Sequence, residues 1–139
     1  MINVSRIDIY NYVKSVLTKG GIKNIYLMNM PKKIPQAVEE AGFSVITLGQ
    51  IRDRSQFTLK GYAECFAYID IYIKSLTNTT LNQSKYKELD ELIRKLVMDE
   101  ADNKLSAFKM DSDVMISDDS TDEQRGYHIL HVEVKITTN

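Results

Sequence analysis

An imidazole can ligate a metal or move a proton near neutral pH, so the two histidines, His128 and His131, are the first side chains to weigh for chemistry. They stand three residues apart, and on a strand an odd spacing sends side chains to opposite faces, so they do not converge on one ion. His131 shares its face with Tyr127, Glu133 and Lys135, the composition of an ordinary solvated sheet surface. Glu133-Val-Lys135 also has the spacing by which some nucleases hold a divalent metal on the carboxylate and orient a water with the ammonium. Alternation places both side chains on one face. No second acidic ligand can be assigned from a neighbouring strand, and cross-strand pairing at the surface accounts for the same two residues.

The run from Asp111 to Glu123 is the acidic cluster, and clustered carboxylates can bind Ca²⁺ or Mg²⁺. It departs from the EF-hand pattern at the fifth position, Met115, and at the sixth, Ile116, where a ligand and a glycine belong. It reads instead as a solvated connection between strands. Lys32-Lys33 and Arg52-Asp53-Arg54 with Lys60 fall in loops beside strands, where they can meet phosphates, a partner's acidic surface or solvent. Gly20-Gly21 precedes a strand and lacks the Lys-Ser/Thr ending of a phosphate loop. Cys65 is the one cysteine, so no intrachain disulfide and no cysteine-based metal cluster can form, which fits a reducing compartment. No nucleophile, base and orienting group can be named together, and neither an enzyme nor a cofactor is expected.

The elements that must position these residues follow from 139 residues, enough for one domain with one sizeable core, expected to span 1–139. Hydrophobic residues at 43% and charged residues at 27% are ordinary globular usage, and a net charge of -1 supplies no general attraction to nucleic acid or anionic lipid. Neither a secretory leader nor a membrane-spanning run is read in the chain. Ser5 with Asp8 forms a capping pattern ahead of Ile7, Tyr10, Val13, Val16 and Leu17, predicting an amphipathic helix over 5–19. A strand is predicted at 24–30, stopped by Pro31, then a short helix between Pro35 and Gly42 and a second strand at 43–48.

Between Gly61 and Lys74, small and β-branched residues alternate with Tyr62, Glu64, Phe66, Tyr68, Asp70 and Tyr72, which predicts a long strand with two unlike faces. Leu89, Leu92, Ile93, Leu96 and Val97 form one stripe of a helix over 85–101, with Ser84 as its cap. A strand at 107–117 and a terminal strand at 126–137 complete the order. The expected fold is a single α+β domain: a largely antiparallel β-sheet with two main helices packed on one face.

The order of elements, the strand Gly-Tyr-x-x-x-x-x-Tyr-Ile-Asp-Ile-Tyr-Ile-Lys and the terminal Gly-Tyr-His-Ile-Leu-His-Val-Glu-Val-Lys-Ile resemble the small tail-terminator, tail-completion and neck-ring proteins of tailed bacteriophages. The resemblance covers nearly the whole chain and rests on pattern, without a diagnostic motif. It implies a non-enzymatic virion protein, made in the bacterial host cytoplasm, whose copies close into a ring at the tail end or in the head-to-tail neck. That ring is most often a hexamer, with a dodecamer as the alternative, and it meets tail-tube or connector proteins while DNA passes without sequence-specific binding. A heterologous ring needs two unlike patches per subunit. One is expected on Tyr62, Phe66, Tyr68 and Tyr72, the other along 50–60 and 111–125. The alternatives are an α+β assembly adaptor outside phages and a Mg²⁺-dependent nuclease using Glu133 and Lys135.

Overall fold

The computed structural model describes residues 5–53, 63–103 and 106–138. Helix α1 runs Arg6–Lys19, and the Ser5 hydroxyl caps it by accepting from the Ile7 N–H at 3.3 Å. Its buried stripe is Ile9, Tyr10, Val13, Val16 and Leu17. Ile7, expected on that stripe, is 53% exposed, and Ile9 takes the position because it lies one turn before Val13 and two before Val16. Strand β1, Ile25–Leu27, is shorter than the predicted 24–30. Met28 turns to φ +75° and the Asn29 N–H closes on the Leu27 carbonyl at 2.9 Å, which ends the extended backbone there.

Helix α2, Gln36–Ala41, follows Pro35 and ends at Gly42, whose φ of +87° suits glycine. Strand β2 is Phe43–Leu48, β3 is Arg52–Asp53 and β4 is Ala63–Lys74. Helix α3, Gln83–Ala101, begins two residues earlier than a Ser84 cap allows. The cap is Asn82, whose side-chain oxygen accepts from the Lys85 N–H at 3.2 Å and from the Ser84 hydroxyl at 3.2 Å.

The acidic run is not a connection. Strand β5 spans Phe108–Asp122 and β6 spans Tyr127–Thr138, so only a four-residue turn closed by Gly126 at φ +80° separates them. The low strand preference of Asp is overridden because β6 pairs with Phe108–Asp111 and again with Ile116–Asp122, and the side chains of Asp118 and Asp119 are exposed. A register shift between Asp111 and Ile116 bulges the strand.

The strands order as β1-β2-β4-β6-β5, with β3 pairing the start of β4. β1 lies parallel to β2 and the other pairs are antiparallel. Helices α1 and α3 cover one face, where Ile69, Ile71, Val132, Val134, Val13, Ile93 and Val97 are among the residues that close the main core. The strict alternation of β4 buries all its odd-numbered residues and puts Cys65, Ala67, Ile69, Ile71 and Ile73 into that core. A smaller cluster of Phe43, Val45 and Tyr127 lies on the opposite face, under Ile34 and Val38 of the α2 segment.

Candidate functional site

The even-numbered face of β4 is built by register rather than by any local motif. Tyr72 stands opposite Phe43 on one side and Ile129 on the other, Asp70 opposite Val45 and His131, Tyr68 opposite Thr47 and Glu133, and Phe66 opposite Lys135. On the far side of β6, Ile116 faces Glu133 and Asp118 faces His131.

One end of this face is occupied by the chain itself. Phe43 and Tyr72 stack with centroids 4.9 Å apart and planes 2° from parallel, and Tyr127 meets both edge-on at 5.4 and 5.6 Å. The Tyr127 hydroxyl donates to Glu39 of α2 at 2.9 Å, and Lys74 pairs with the same carboxylate. Burial, followed by that hydrogen bond to Glu39, pushes the Tyr127 phenol up to about 12. The Lys74 hydrogen bond, then that of Tyr127, holds the Glu39 carboxyl below its ordinary value. Tyr72 therefore serves the second apolar cluster.

The other end is open. Phe66 is 39% exposed and Tyr68 is half-buried, its ring stacked on that of His131 at 6.0 Å and 16°. His131 bridges two carboxylates, its Nδ1 hydrogen-bonded to Asp70 and its Nε2 to Glu133 at 3.2 Å. Burial works against its protonation, but the hydrogen bonds and charges of Asp70 and Glu133 outweigh it and raise the imidazole above its ordinary value. Lys135 pairs with Glu64 at 2.9 Å. A recess of about 390 Å³ at this end is lined, among the described residues, by Gly49, Arg52, Glu64, Phe66, Tyr68 and Lys135.

The two histidines do lie on opposite faces: His128 turns away and shares a 2.7 Å hydrogen bond with the Ser75 hydroxyl. His131 is not the plain solvated residue its sequence neighbours suggest, because Asp70 reaches it from β4. Glu133 and Lys135 share a face as alternation requires, yet Glu133 is engaged by His131 and Lys135 by Glu64. Cys65 is buried in the main core, where desolvation lifts its thiol to about 11, far from a reactive thiolate. Among the described residues no three His, Cys, Asp or Glu side chains are grouped to hold a metal ion, and no helix is long and apolar enough to cross a membrane. Lys32 and Lys33 are exposed beyond β1, and Arg52 is exposed in β3. Tyr62, Arg54 and Lys60 lie outside the described residues.

Sequence reasoning missed the Asp70-His131-Glu133 bridge. Both strands and their faces are legible from alternation, but the register that sets Asp70 opposite His131 is not. Comparison of the chain with protein-family models and with curated proteins returned no match. What the arrangement offers chemically is a surface: aromatic rings and paired charges on a stiff sheet, half covered.

Proposed function

We propose that this chain is a structural subunit of a tailed bacteriophage, forming a ring at the tail end or in the head-to-tail neck around the DNA channel. The observation that carries this reading is the half-covered sheet face. Helix α2 shields Phe43, Tyr72 and Tyr127, while Phe66 and Tyr68 a few rows away stay open among paired charges. An aromatic surface bounded by charge is the composition of a contact between folded subunits. Two antiparallel strands of 12 residues each, backed by two helices, supply a rigid platform for it. The order of elements, which resembles that of the phage ring proteins, narrows the contact to copies of the same chain. The ring is a hexamer in this proposal. Its other neighbours are tail-tube or connector proteins, and it belongs to the virion.

Electron microscopy of the purified chain over a concentration series, with and without Mg²⁺, tests this directly. Closed rings of one subunit number are expected. Phe66→Ser combined with Tyr68→Ala should remove the rings while the circular dichroism of the monomer stays unchanged, since buried aromatic anchors contribute on the order of 2 kcal/mol each to an interface. Intact rings in that variant would exclude the open face as the contact, and an absence of rings in the parent protein at every concentration would overturn the reading.

A further inference from the structure

The sheet ends in two unlike edges, one acidic and one basic, which share an apolar level. On one side is β5, an edge strand. From residue 110 to residue 123 the chain contains acidic residues and no Lys or Arg. Asp118 and Asp119 are exposed, and Ile116 beside them is 56% exposed. On the other side is β1, with α1 above β2. From residue 9 to residue 38 the chain contains Lys14, Lys19, Lys23, Lys32 and Lys33 and no acidic residue.

The registers align these features across the molecule. One row runs Ile116, Glu133, Tyr68, Thr47, and beyond Thr47 on the β1 side stands Met28, which follows the Leu27–Ile46 pair and is 66% exposed. Another row runs Asp119, Leu130, Ile71, Ser44, Ile25, so that Lys23, two residues before Ile25, stands at the level where β5 passes from Asp119 to Asp122. Helix α1 adds to the same flank. Arg6 donates to the Gly49 and Leu48 carbonyls at 2.8 and 3.1 Å, which sets the exposed Ile7 at the end of β2 where Met28 lies. Lys14, seven residues on, shares the helix face of Ile7 and is exposed. The β5 edge thus carries one large exposed apolar side chain, Ile116, and the opposite flank two, Met28 and Ile7, each with charge farther along the edge and of opposite sign on the two.

We propose that copies of this chain join head to tail, the acidic β5 edge of one seated against the β1 and α1 flank of the next, Ile116 meeting Met28 and Ile7 while Asp118 and Asp119 meet Lys23 and Lys14. This rests on the ring reading and identifies the two unlike patches it needs. A heterologous contact of this kind closes into a ring when the rotation per subunit divides the circle. Tyr68 lies in the Ile116 row, so the β5 edge and the open face form one continuous surface.

Charge reversal tests it. Asp118→Lys with Asp119→Lys makes one variant, and Lys14→Glu with Lys23→Glu makes the other. Sedimentation velocity at low salt should show each alone associating roughly tenfold or more weakly than the parent, because like charges then face each other. An equimolar mixture of the two should recover rings of alternating composition, since each reversed edge then finds an opposite partner. Parent rings with no loss in either variant would overturn this contact and leave the ring reading standing, whereas a parent protein that forms no rings would overturn both. If circular dichroism shows that a reversed variant is unfolded, Ile116→Ser and Met28→Ser replace it, and undiminished association in both would equally overturn the contact.

Discussion

An imidazole set between two carboxylates binds its proton more tightly, and His131 is so placed between Asp70 and Glu133. The charged and titratable groups around it are Asp70 and Tyr68 from β4, Asp118 from β5, and Glu133 with Lys135 along β6. Its affinity for the proton is higher folded than unfolded, where the ordinary value is 6.5. A raised value contributes stability that is complete below about pH 6.5 and is lost as the pH climbs through the folded value. Urea unfolding at pH 6 and pH 8.5 should therefore show a larger loss of stability toward high pH in the parent than in His131→Asn. Equal losses in the two proteins would show that the bridge adds nothing. None of this was legible from the sequence, in which Asp70 and His131 are 61 residues apart.

At the scale of the element, the long strands and helices were readable and their ends were less so. The alternation of Ala63 through Ile73 with Glu64 through Tyr72 announces β4, because a strand with one face in the core has period two. Helix α3 announces itself by its stripe, but a run such as Asn82-Gln83-Ser84 contains two competent caps, and the chain uses the first. Asn82→Ala should cost about 1 kcal/mol in urea unfolding, and Ser84→Ala only a few tenths, since its hydroxyl bonds the Asn82 side chain rather than a helix N–H. The opposite ranking would restore Ser84 as the cap. Strand β5 is the element that composition hides. Its aspartates are poor strand formers taken singly, and Asp111, Asp118, Asp119 and Asp122 are held extended by the ladder to β6.

For the whole molecule, the sheet separates two unequal apolar clusters, and the smaller one decides which part of the outer face remains open. Phe43 is its centre, 1% exposed and in contact with the rings of Tyr26, Tyr72 and Tyr127. Phe43→Ala should cost about 3–5 kcal/mol of unfolding free energy. It should also speed amide exchange in α2 ahead of α1 and α3, because Val38 packs on that cluster while the two main helices pack on the other. A loss below about 1 kcal/mol, or equal acceleration in all three helices, would mean that α2 is held by something else.

The sequence by itself determined the α+β composition, the order of the main elements and, Ile7 apart, which side chains of the long helices and of β4 and β6 share a face. Those are local properties: helical and strand periods are written in residues a few positions apart, and the glycines at 20, 42 and 126 mark where the elements end. Tertiary structure alone decided the partners. A strand's alternation says which residues point the same way but not which strand lies beside it or in what register. The Asp70-His131 pair, the enclosure of Tyr72 beside an open Phe66, and the matching of Ile116 with Met28 across the sheet therefore all waited on non-local pairing.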